Sequence, residues 1–209
     1  MTIATRAPRP GATAHPFPRR RFLLASSAAA LAWATRRAPA AEPQFPALID
    51  AEVGGKPARL ALTGSALRSK YLFRVYTVAS YVQEGAVVRS PEALAQLDAP
   101  KQLLLVFERD VDGATVGASF RESIGRGHPA PAFAKELTAL ERYFVANPIK
   151  AGDRVLLTHV PATGLGVRVN ARPPVLIPSV PFAQAAWGTY FGPHHLGVAL
   201  KQSLSSRLR

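Results

Sequence analysis

An α+β fold, with helices laid over one face of an antiparallel sheet, is what this 209-residue chain predicts. Three observations lead there. Strand-like segments come in pairs around Gly54-Gly55 and around Pro161 to Gly164, as antiparallel hairpins do. Segments with helical spacing form blocks between and after those pairs, instead of following every strand as in a parallel α/β sheet. No internal repeat and no linker divides the chain.

Residues 1–40 are predicted to stand apart from the fold. Arg19-Arg20-Arg21-Phe22-Leu23-Leu24 opens an alanine-rich apolar run to Ala34, and Ala38-Pro39-Ala40 has the small-x-small form cut by signal peptidases. The paired arginines point to a cleaved export signal of the twin-arginine type, hence to the periplasm. A stable membrane span takes about 20 apolar residues, and this run is too short. Residues 41–209 then form the domain. They contain no cysteine, so a core without disulfides must hold them together. Without the leader's seven arginines, 19 basic residues stand against 13 acidic ones, scattered along the chain. A nucleic-acid surface needs a basic stripe, and that class is excluded.

Residues 47–53 and 58–62 make the first predicted hairpin. Gly64-Ser65-Ala66 reads as a turn, and the run from Tyr71 to Val82 carries bulk at both odd and even positions. That predicts a central strand with helices on one side. Residues 91–97 begin with proline and read as a short helix. The continuous apolar run at 101–109 reads as a buried strand. Residues 112–125 and 131–146 read as helices, the second with Phe133, Leu137, Leu140 and Phe144 on one face. Residues 154–160 and 166–170 form a second hairpin, and 180–190 and 195–208 two closing helices.

Most candidate chemistry falls away on inspection. Glu108 to Gly113 looks like the start of a calcium loop, but its twelfth position is Ser119 where a bidentate Glu is required. A strand end entering a helix N-terminus suits those acids better. His194-His195 lack a third ligand, which zinc catalysis needs, so no metal and no cofactor is expected. Arg68 is different. It lies just before a strongly apolar strand, and guanidinium holds its charge and its five donors even when desolvated. It suits a carboxylate, phenolate or enolate in an apolar pocket.

The chain resembles the chalcone isomerase superfamily, within it the bacterial chalcone isomerase-like branch. The resemblance rests on Leu62-Thr63-Gly64-Ser65-Ala66-Leu67-Arg68-Ser69-Lys70, Phe73-Arg74-Val75-Tyr76, Ala79-Ser80-Tyr81, Glu108-Arg109-Asp110-Val111, Ala151-Gly152-Asp153 and Trp187-Gly188-Thr189-Tyr190-Phe191-Gly192-Pro193. These run in order from about residue 45 to 206, and Ala66 departs from the branch's usual second glycine. It implies an open-faced β-sandwich: a large antiparallel sheet with helices packed on one face and a cleft between them. It further implies that Arg68 matches the arginine that anchors substrate in the plant isomerases, and Thr189 a threonine that contacts it. The plant catalytic threonine falls on Tyr76, and the plant tyrosine and asparagine fall on Val116 and Ser123.

With those groups replaced, ring closure lacks its proton handling. The superfamily's fatty-acid-binding branch, by contrast, holds a lipid carboxylate with an arginine and a tyrosine, which Arg68 and Tyr76 resemble. The expectation is non-catalytic binding of a small apolar carboxylate or phenolic ligand. An isomerase or lyase acting on an enone, with Arg68 and Thr189 as catalytic residues, is the alternative; a ligand-free protein-interaction domain is a third. One geometric condition applies. On a single straight strand Arg68 and Tyr76 would lie roughly 26 Å apart, at about 3.3 Å per residue, so sharing a ligand requires a bulge, a turn or a fold-back between them.

Overall fold

The computed structural model describes residues 45–70 and 72–208; the predicted export signal at 1–40 lies outside them. The elements run β1 (Leu48–Val53), β2 (Lys56–Lys70), β3 (Phe73–Gln83), α1 (Pro91–Gln96), β4 (Lys101–Phe107), α2 (Gly113–Gly125), α3 (Ala134–Ala146), β5 (Arg154–Val160), β6 (Gly164–Val169), β7 (Val175–Ile177), α4 (Val180–Phe191) and α5 (Val198–Leu204). The seven strands form one antiparallel sheet in chain order. The fold class is the α+β class predicted, with the helices against one face.

Alternation along the strands sets that face. On β4, Leu103, Leu105 and Phe107 are buried while Leu104 and Val106 are half-buried. The buried set joins Val78 and Val82 of β3 and meets Phe120, Leu140, Phe144 and Trp187 from the helices. The opposite face of β2 and β3 carries a smaller cluster, Leu60, Leu62, Ala79 and Tyr81. The bulk on both sides of β3 therefore has two destinations, and β3 sits between β2 and β4 as a central strand. The sheet is curled into a half-barrel: a Cβ on Gly54, in the β1–β2 turn, would lie 2.8 Å from Cγ1 of Val160 at the end of β5. An open flat sheet would keep those strands apart.

Glycine sets the closest helix contact. A Cβ on Gly113 would lie 1.9 Å from the Phe144 carbonyl oxygen, so α2 and α3 meet at a distance only a bare Cα allows. Asp112 caps α2 by accepting from the Thr115 amide at 2.8 Å, and Asp110 accepts from the Ala151 amide at 2.9 Å. These acids thus shape the strand-to-helix junction.

Several boundaries differ from expectation. Gly64-Ser65-Ala66 is no turn; β2 runs through it to Lys70 with a register shift between Leu62 and Gly64. Glycine is required there because α5 docks on it, a Cβ lying 2.1 Å from the Ser203 carbonyl oxygen. The last helix starts at Val198, after His194-His195, and α3 starts at Ala134. The three-residue β7, between Pro174 and Pro178, has too little pattern to be read from sequence.

One corner of the sheet buries a basic side chain completely. Lys101 opens β4 with no exposed surface. Its Nζ donates to the carbonyls of Leu94, Ala95 and Leu97 at 2.7, 3.0 and 2.6 Å and lies 5.3 Å from the Trp187 ring centroid. His159, its cross-strand neighbour on β5, has Nε2 2.7 Å from Asp98 Oδ1. Among the described residues no helix is long and apolar enough to cross a membrane.

Candidate functional site

The far end of β3 and β4 opens into a cleft of about 520 Å³ between the sheet and α2 and α4. Its apolar wall includes Val75, Leu105, Phe107, Val116, Phe120 and Leu196, and its polar groups include Arg68, Tyr76, Thr189 and Tyr190. The Tyr76 ring packs against Phe107 with centroids 5.3 Å apart.

Arg68 and Tyr76 meet. They are direct partners in the β2–β3 register, because Lys70 pairs with Phe73 and the chain folds back around Leu72. A second register shift sits between Arg68 and Ser69, leaving Val75 as the unpaired residue of a β-bulge. The condition set by the straight-strand distance is thus met by a hairpin and a bulge together. Directly opposed side chains lie on one face about 5 Å apart at Cβ, well within reach of one small ligand.

Arg68 is half-buried. Its Nη1 donates to its neighbour's carbonyl, Ser69 O, at 3.2 Å. The carboxylates around the cleft have other first partners: Glu108 pairs with Arg74 at 2.6 Å, Asp110 with Lys150 at 3.0 Å, and Glu122, which also feels Arg68, with Arg126 at 2.8 Å. Among the described residues Arg68 has no ion pair. The Tyr76 hydroxyl is its other polar neighbour, and the hydrogen bond and charge of Arg68 help to hold that phenol's pKa down.

The Tyr76 hydroxyl shares a hydrogen bond of 3.1 Å with that of Tyr190, which α4 presents from the other side of the cleft. Tyr190 was not among the residues read as functional from sequence, although it follows Thr189 directly. The available signal was a tyrosine on an otherwise apolar helix, which needs a partner for its hydroxyl once buried. Burial raises the pKa of both phenols; Tyr190 is raised further by Tyr76, while Arg68 pulls both down. Both phenols therefore stay protonated at neutral pH and act as donors.

Thr189 also lines the cleft, but its hydroxyl donates to the Ala186 carbonyl of its own helix at 2.7 Å. Only its lone pairs remain for a ligand. Val116 and Ser123, onto which the sequence resemblance put the plant tyrosine and asparagine, both line the cleft on α2. Valine carries no transferable proton, and the Ser123 hydroxyl donates to the Ser119 carbonyl at 2.7 Å. The cleft sets four cations (Arg68, Lys70, Arg109 and Arg126), three carboxylates (Asp110, Asp112 and Glu122, engaged with Lys150, Thr115 and Arg126) and two neutral phenols against an apolar wall. The excess of positive charge in this set suits an anion.

A family model described as chalcone isomerase-like matches residues 45–204. No curated protein matches the chain in sequence. Among solved structures it is similar to a fatty-acid binding protein of Arabidopsis thaliana, with a TM-score of 0.60 and 17% identity, covering 77% of this chain and 90% of that one. At that identity the likeness bears on the fold.

Proposed function

The chain belongs to the chalcone isomerase-like family, and from that premise we propose that it binds a small apolar anion, of which a fatty acid is the best-fitting member, and does not turn it over. The observation that carries this reading is the opposition of Arg68 and Tyr76 across β2 and β3. A carboxylate placed there takes two parallel donors from the guanidinium and a third from a phenol. The hydrocarbon lies along Val75, Phe107, Val116 and Phe120. A volume near 520 Å³ is in the range of small-molecule sites.

Binding is favoured over isomerisation because ring closure needs a group that gives or takes a proton at the reacting atom. The phenols, with raised pKa values, are no bases at neutral pH and only weak acids. The hydroxyls of Thr189 and Ser123 already donate to carbonyls, and the carboxylates of Asp110, Asp112 and Glu122 are engaged with Lys150, Thr115 and Arg126. The likeness to a fatty-acid binding protein supports the same reading. Residues 1–40 complete the proposal as an export leader that delivers the domain to the periplasm; amino-terminal sequencing of the exported protein should begin just after Ala40.

Native mass spectrometry of the purified protein and displacement of a fluorescent fatty-acid analogue test the binding. Fatty acid should co-purify, and Arg68→Ala should weaken binding at least about tenfold, the loss of a charge-assisted hydrogen bond. Affinity unchanged in Arg68→Ala would falsify the proposal. Turnover of a chalcone panel above the spontaneous rate, abolished by the same substitution, would establish the enzymatic reading instead.

A further inference from the structure

The β2–β3 hairpin ends in an exposed apolar pair. Leu72 is 96% exposed and Phe73 62% exposed, Leu72 being the most exposed of the large apolar side chains among the described residues. Turns ordinarily carry Gly, Asn, Asp or Ser for their backbone and solubility. A leucine at the tip with a phenylalanine beside it presents apolar surface to something other than water.

The surroundings of this pair are cationic. Lys70 faces Phe73 across the hairpin, and the Arg109 guanidinium lies 5.3 Å from the Phe73 ring centroid. Acids are nearby but already engaged: Glu108 with Arg74, Asp110 with Lys150, Glu122 with Arg126, and Asp112 as the cap of α2. Glu122 also feels Lys70, but only behind its pairing with Arg126. Neither Lys70 nor Arg109 has an ion pair among the described residues.

We propose that this tip docks on an anionic lipid bilayer surface, with Leu72 and Phe73 entering the interfacial zone and Lys70 and Arg109 meeting the phosphate groups. Apolar side chains flanked by Lys and Arg are the chemistry of interfacial attachment. Arginine over an aromatic ring keeps its charge available at the headgroups while its ring partner inserts. A second copy of the chain fits the patch poorly, since the same cations would face one another. Lys70, Phe73 and Arg109 also line the cleft, so docking sets the mouth of the cleft against the bilayer. The docking stands whatever the cleft binds.

The cysteine-free sequence makes the test direct. Leu72→Cys places an environment-sensitive fluorophore at the tip, and Val145→Cys places one at an exposed position on α3 as the control. Vesicles of phosphatidylcholine with phosphatidylglycerol should blue-shift the probe at position 72 and leave that at 145 unchanged. Salt should reverse the shift. Arg109→Gln in the labelled protein should weaken it roughly fivefold, the share of one cation near an anionic surface, and Phe73→Ser should weaken it further. A silent probe at 72 on these vesicles overturns the proposal, because attachment through residues 1–40 alone would leave it in water. So does an equal shift on phosphatidylcholine alone, or a shift that grows with protein concentration without lipid.

Discussion

Lys101 and Arg68 are both basic side chains set in an apolar frame, and their partners differ. At the α1–β4 corner, Lys101 is closed in by three carbonyls of its own chain and by Trp187. At the cleft, Arg68 has one backbone acceptor, the Tyr76 hydroxyl beside it and, among the described residues, no ion pair. The residue types match these duties. Desolvation lowers the Lys101 pKa from 10.5 to about 7, with Asp98 opposing, whereas arginine cannot shed its charge. A lysine sealed by carbonyls ties α1 to the sheet; an arginine without an ion pair beside a cavity suits an outside anion. Burial alone would have ranked Lys101 first, and access to the cleft ranks Arg68 first.

The comparison breaks most visibly at the closed corner. Lys101→Ala should destabilise the fold by about 3 kcal/mol or more, because it orphans buried carbonyls and leaves a void under Trp187. Urea unfolding measures this, and fatty-acid affinity below the transition should match the parent. Arg68→Ala should do the reverse. Its stability should stay within about 0.5 kcal/mol of the parent, while affinity drops by about 1.5–3 kcal/mol. Equal losses of stability in the two variants would remove the distinction.

Tyr76→Phe and Tyr190→Phe come next. Each should weaken binding by about 0.5–1.5 kcal/mol, with Tyr76 the larger since it is the register partner of Arg68. Calorimetric titration with one fatty acid across both variants gives the order.

The gentlest test is pH. Lys101 sheds its proton near 7 in the folded state and near 10.5 when unfolded. Within that window the unfolded chain binds the extra proton, so stability rises with pH. Burial likewise holds His159 below 6.5 against the pull of Asp98. As pH falls below 6.5 the unfolded chain protonates first, so stability falls again. Urea midpoints from pH 5 to 10 should therefore climb, with Lys101→Met flattening the alkaline part and His159→Gln the acid part.

The sheet was legible where pattern was strong. The continuous run of β4, the one-faced spacing of α3 and the Gly54-Gly55 hairpin all carry local signals. Gly64 misled, because glycine there answers to α5, well over a hundred positions later, and no local window contains that contact. Arg68 stood out from sequence because an arginine before an apolar strand is unusual. Its meeting with Tyr76 depended on the turn around Leu72, which lacks glycine and reads as continuous strand. Lys101 was read only as the first residue of a strand, since its cage consists of carbonyls, which every residue possesses. Tyr190 was hidden by its neighbour Thr189, the residue the resemblance selected.

The bulge at Val75 bears on how the hairpin can change length. Because Val75 has no partner on β2, removing it would leave Lys70 opposite Phe73, Ser69 opposite Arg74 and Arg68 opposite Tyr76 in ordinary alternation. A deletion that elsewhere in a strand would turn every later side chain to the wrong face is here in phase. Loss of this one residue would thus keep the anion-binding pair in orientation and would cost instead the cleft wall at Val75 and the bond its carbonyl accepts from the Glu108 amide.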